Sequence, residues 1–170
     1  MSQAEVYVGI DPGLTGALAV LGAYGDPDVY DLPTVAAGRG TVKRELCAPV
    51  LGGLLTTLLR SWDPAAVRVM LERTAAMPGQ GVASMFSMGV TRGVLLGVVG
   101  ALGYPLAEVA PSRWKAAMGL AGADKGASRR AALQRFPGLA ATLAREKDHN
   151  RAEAVLLALY AKSLDNRTST

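Results

Sequence analysis

The chain has 170 residues and a mass of 17.6 kDa; half of its residues are apolar and 19% are charged. That is enough chain for one domain with a core, and too hydrophobic and too sparsely charged for a disordered protein. The single cysteine, Cys47, excludes an internal disulfide, and no signal-peptide pattern opens the chain, so a reducing, cytoplasmic location is expected. The longest strongly hydropathic uncharged stretch, Gly93 to Leu102, is about half of what spans a bilayer, and no transmembrane helix or membrane partner is expected.

Charge is unevenly placed. Residues 1–110 hold seven Lys/Arg against nine Asp/Glu, whereas residues 111–170 hold eleven against five. A basic C-terminal third beside an acidic N-terminal part suits a polyanion such as nucleic acid, bound through its phosphates, or simply a solvated basic face.

In chain order, Val6 to Ile10 is a β-branched run that ends on Asp11 and turns through Pro12-Gly13-Leu14-Thr15-Gly16. Ala17 to Leu21 and Val29 to Leu32 follow as strands; the short turns between them favour an antiparallel meander. Residues 33–41 read as a loop. Val42 to Trp62 carries apolar residues at helical spacing, with Pro49 near a first turn or kink. Val67 to Leu71 is a strand that delivers Glu72, and a loop follows over 73–81. A helix over about 82–102 repeats glycine at 89, 93 and 97, which suggests close backbone approach to the sheet or to a partner helix, dense internal packing being the stronger expectation. Tyr104 to Val109 is a fifth strand. Short helices are predicted over 111–118 and 126–136, an irregular piece over 139–147, and a final apolar-faced helix over about 149–164. The expectation is a single domain over residues 1–165 and a flexible tail over 166–170.

Asp11 and Glu72 both sit at strand ends, so parallel neighbouring strands would bring the two carboxylates to one edge of the sheet. Hard Mg²⁺ is held by one or two carboxylates together with water and phosphate oxygens. Glu153 lies beside Ala152, Ala154 and Leu157, where an acid wants a cation. His149, four residues earlier, shares its helical face, whereas Asp148 reads as the helix N-cap. Taken singly, these residues are equally a turn aspartate and a capped helix with an exposed glutamate.

In this order, Gly9-Ile-Asp-Pro-Gly-Leu-Thr-Gly-Ala17, Met70-Leu-Glu72, Pro111-Ser-Arg-Trp-Lys115, Asp124-Lys125 and His149-Asn-Arg-Ala-Glu-Ala154 resemble a RuvC-type Holliday junction resolvase, nearest to its phage-like and chloroplast branches. The resemblance implies an α/β, ribonuclease H-like fold: a five-stranded mixed sheet, three strands antiparallel plus two parallel, flanked by helices. It also implies a homodimer that cuts four-way DNA junctions to 5′-phosphate and 3′-hydroxyl ends, with two Mg²⁺ per site and Mn²⁺ able to substitute. The implied catalytic and metal residues are Asp11, Glu72, His149 and Glu153, with Asp148 as substitute for His149, because Asn150 stands where the typical bacterial enzyme has an acid. Arg73, Met77, Gln80, Lys115, Lys125, Arg129 and Arg130 are the implied DNA contacts. Two rivals stay open at this stage: a junction-binding protein that does not cut, and a phosphate-binding domain of the actin-like ATPase or sugar-kinase type. A branch-migration motor as partner is not legible in the sequence.

Overall fold

The computed structural model describes residues 4–37, 44–74, 79 and 81–168. Its centre is a five-stranded sheet in the order β3-β2-β1-β6-β7, formed by β1 (Val6–Asp11), β2 (Ala17–Leu21), β3 (Asp28–Asp31), β6 (Val67–Glu72) and β7 (Leu106–Val109). β1 pairs antiparallel with β2 and β2 with β3, while β6 lies parallel to β1 and β7 parallel to β6. This is the mixed sheet expected from the sequence.

Alternation along the strands divides the core. Val6, Val8, Ile10, Val69 and Leu71 face α1 (Ala48–Leu59) and α2 (Val82–Ala101), where Leu51, Leu55, Leu59, Leu95 and Val99 meet them. Tyr7, Met70 and Val109 face the other way, toward α5 (His149–Thr168), α3 (Pro111–Ala117) and α4 (Ala127–Arg135). Gly9 is where α5 comes closest: a Cβ there would lie 2.1 Å from the Ala154 carbonyl oxygen and 2.3 Å from the Ala158 nitrogen. Both neighbours are backbone and cannot swing aside. Gly9→Ala is therefore expected to cost about 3 kcal/mol, the upper end of overpacking effects, and to lower Tm by roughly 6–12 °C in a calorimetric scan.

Three expectations are corrected. Residues 44–46 are not helical: β5 (Arg44–Leu46) pairs antiparallel with β4 (Thr34–Ala36) in a separate two-stranded sheet. The helix begins only at Ala48, with Pro49 in its first turn, where a missing N–H costs nothing. At the other end of the chain, α5 runs to Thr168, so positions 166–168 of the expected tail belong to the helix. The glycine stripe of α2 does not pack inside: Cβ atoms added at Gly89, Gly93 or Gly97 would meet nothing within 4 Å. By length and composition alone α2 also passes the test for a membrane-crossing helix, a test that the core helix of a soluble protein passes as well. The uncharged stretch counted from the sequence stops at Arg92, but the helix continues upstream to Val82, and Arg92 is neutralised by two hydrogen bonds to Glu108 at 2.7 and 2.5 Å.

Candidate active site

Three elements converge at the C-terminal edge of the parallel pair. Ile10 is in register with Leu71, so Asp11 and Glu72, one residue further on, sit side by side and both point to the α5 face. The close approach of α5 at Gly9 lays Glu153 over them. One oxygen from each of Asp11, Glu72 and Glu153 lies within 4.8 Å of the others.

Three acids so close repel one another. Asp11 is buried; burial first, then the neighbouring Glu153 and Glu72 carboxylates, pushes its carboxyl from the ordinary 3.8 up to about 8. Glu72 is raised as well, mainly by burial and against the opposing effect of a hydrogen bond from Trp114. Between pH 4 and pH 8 the folded, metal-free protein thus holds protons that the unfolded chain has released. Its stability is expected to fall as pH rises through that window and to level off above about 8; Asp11→Asn should flatten much of the slope in denaturant titrations at several pH values.

The ring of donors around the acids is specific. The fully buried Trp114 donates its indole N–H to Glu72 Oε2 at 2.6 Å. Lys115 Nζ lies 2.9 Å from Glu153 Oε1 and 5.2 Å from the Trp114 ring centroid, and the buried Ser128 hydroxyl donates to the same Glu153 oxygen at 3.0 Å. Lys115, expected among the DNA contacts, is thus a member of the acidic cluster. Trp114 was part of a quoted motif without a role; Ser128 had no sequence signal.

The remaining candidates are placed differently. His149 opens α5 one turn before Glu153, but its ring is not among the ligand atoms gathered within 4.8 Å. Asp148 does not cap α5. It is buried and closes the preceding 3₁₀ turn, accepting from the Arg145 backbone N–H at 2.8 Å and from the Arg145 guanidinium at 2.7 Å, which holds its carboxyl below the usual range. Asn150 donates to the Thr15 carbonyl oxygen at 2.7 Å and so ties α5 to the β1–β2 turn. Arg129 donates to the carbonyls of Leu143 and Ala144, and Arg130 pairs with Asp124 at 2.6 Å. Both guanidiniums are engaged within the chain. Arg73 is exposed just beyond β6, and Lys125 is exposed before α4; Met77 and Gln80 lie outside the described residues.

No family model matches the chain. In sequence it is 31% identical over 149 residues to the chloroplastic Holliday junction resolvase MOC1 of Chlamydomonas reinhardtii, a match that covers 78% of this chain and 17% of that protein's length. In structure it resembles Thermus thermophilus RuvC, with a TM-score of 0.52 at 21% identity over 97% of both chains. The T. thermophilus RuvC solved in complex with a Holliday junction substrate gives 0.55 at 19% identity over 96% of both. The chain thus shares the fold of these two RuvC structures, and it spans about a sixth of the length of the curated relative it matches.

Proposed function

We propose that this chain is a structure-specific endonuclease that resolves four-way DNA junctions by metal-dependent phosphodiester hydrolysis, leaving 5′-phosphate and 3′-hydroxyl ends. The observation that carries the reading is the convergence of Asp11, Glu72 and Glu153 at one sheet edge, in a chain similar to a junction resolvase.

The donor set is all oxygen and carries up to three negative charges, which suits Mg²⁺, with Mn²⁺ as substitute, and offers enough carboxylate oxygens for two ions. Bound there, a divalent cation supplies charge neutralisation on the scissile phosphate and an acidified attacking water. The rest falls to the protein. Asp11, the most deeply buried of the three acids, must lose its proton to serve as a ligand. Trp114 fixes the rotamer of Glu72, and Ser128 with Lys115 fixes that of Glu153. Lys115 also brings a positive charge to the place where the substrate phosphate would arrive.

His149 remains the proposed fourth ligand or water-mediated assistant, a role that needs its ring to turn toward Glu153 from the next turn of the helix. His149→Ala is expected to slow cutting at least about tenfold, ~1.4 kcal/mol of barrier. Asp148→Asn should chiefly lower Tm, by weakening the Arg145 pair, and affect cutting less; time courses on a labelled junction beside thermal melts distinguish the two.

Two symmetric cuts call for two sites, and an isologous dimer supplies them. In support, α2 exposes Val82, Phe86 and Val90 at 79%, 70% and 41% alongside its open glycines. An apolar helix face with no side chain on one stripe suits close approach of the same helix from a second copy. Incubation of the protein with a synthetic four-way junction and Mg²⁺ tests the whole reading: paired nicks support it, binding without nicks leaves the non-cutting rival, and indifference to DNA removes both.

A further inference from the structure

The acidic cluster has a cation of its own. Among the described residues, Lys115 on α3 is the one basic side chain in an ion pair with any of the three clustered acids. Its Nζ lies 2.9 Å from Glu153 Oε1 and 5.2 Å from the centroid of the Trp114 ring, which is itself fixed by its bond to Glu72. The ammonium therefore rests between a carboxylate and an aromatic face, both attractive to a cation. Its charge reaches beyond Glu153, because it opposes the upward push on the carboxyls of Asp11 and Glu72 as well. The Lys115 side chain is 33% exposed, so it can leave this seat for water without unpacking the core.

Charge counting gives the arrangement a consequence. Ionised as ligands, Asp11, Glu72 and Glu153 carry three negative charges, and one divalent ion together with the Lys115 ammonium supplies three positive ones. A second divalent ion would leave two positive charges in excess in a largely buried site, where unbalanced charge is costly. It would also have to share Glu153 with an ammonium already on one of its oxygens. Ser128, which donates to that same oxygen, brings no charge, so the balance is set by Lys115.

We propose that Lys115 is the resident counter-cation of the carboxylate cluster and holds the DNA-free protein to a single divalent ion for as long as it stays on Glu153. The proposal rests on the metal-dependent nuclease reading and adds to it a control over how many ions the site accepts.

The test counts Mn²⁺ bound to the full chain without DNA, from the paramagnetic resonance signal of the free ion, in wild type, Lys115→Met and Arg135→Gln. The Arg135→Gln change removes the same charge from an exposed position at the end of α4, about two helical turns beyond Ser128. Wild type and Arg135→Gln are expected to take up one equivalent, with a second ion binding only weakly. Lys115→Met should bind that second ion at least about tenfold more tightly than wild type. Lys115→Gln repeats the count should Lys115→Met melt below wild type. Two equally tight ions in wild type, or lysine variants that match Arg135→Gln, would overturn the role of Lys115 and leave the metal site standing. A folded wild type that takes up no Mn²⁺ would overturn the metal-dependent reading, and this proposal with it.

Discussion

Glu72→Gln and Glu153→Gln are each expected to abolish junction cutting, by at least about 10³-fold, or ~4 kcal/mol of barrier, while junction binding survives. Each change keeps the side-chain shape and removes one charge from a cluster whose ligand oxygens all lie within 4.8 Å. At position 72 the amide oxygen can still accept the Trp114 indole N–H, so the rotamer and the buried tryptophan stay in place. At position 153 the Lys115 ion pair is lost, but the Ser128 hydroxyl keeps a partner. Folding should therefore be little changed, and the metal-free proteins should be more stable above pH 7 than wild type because mutual repulsion is relieved. Removing an acid from a site facing a polyanion should leave junction affinity equal or higher. Cleavage time courses and fluorescence anisotropy on the same junction read both sides of this result. Retained cutting in either variant would show that the missing carboxylate is not needed.

The second large effect concerns assembly. Gly93→Glu is expected to convert a dimer into a monomer and to replace paired nicks by slow, unpaired ones. In the isolated chain the position is open, with nothing within 4 Å of an added Cβ, and replacing an exposed helical glycine gains roughly 0.5–1 kcal/mol. The monomer should thus melt no lower than wild type, while a charged side chain on the stripe holds a facing helix away from Phe86 and Val90. Light scattering at micromolar protein and thermal melts distinguish this from misfolding. A wild type that is monomeric would remove the dimer reading.

Much of the site was legible in the sequence because strand ends are legible. Asp11 and Glu72 each close a short β-branched run, and parallel pairing of such runs puts their last residues together whatever the rest of the fold does. Glu153 stood out as an acid among alanines and leucines on a helix that packs on the sheet. Trp114 and Ser128 were hidden for a reason of distance: their bonds to Glu72 and Glu153 span 42 and 25 residues, and no local periodicity encodes them. The same holds for Asp148, whose role is set by an arginine three residues upstream and by a 3₁₀ turn that merges into α5 without a break in the apolar pattern. The segment before Pro49 misled for another reason. Apolar spacing alone cannot separate a three-residue strand from the start of a helix, and the proline marks the true first turn. The α2 glycines left two readings open, internal packing and a dimer interface along the same helix, because a glycine stripe in one chain looks the same whether it meets a sheet or a second copy.

The most direct test of the carboxylate site as a metal-dependent junction nuclease is cleavage of a synthetic four-way junction mapped at nucleotide resolution, with Mg²⁺, with Mn²⁺ and with EDTA. Paired, symmetry-related nicks with ligatable 5′-phosphate ends in either metal, absent in EDTA and absent for Glu153→Gln, are the expected result. Nicks that persist in EDTA or with Glu153→Gln, or an intact junction in both metals, would contradict it.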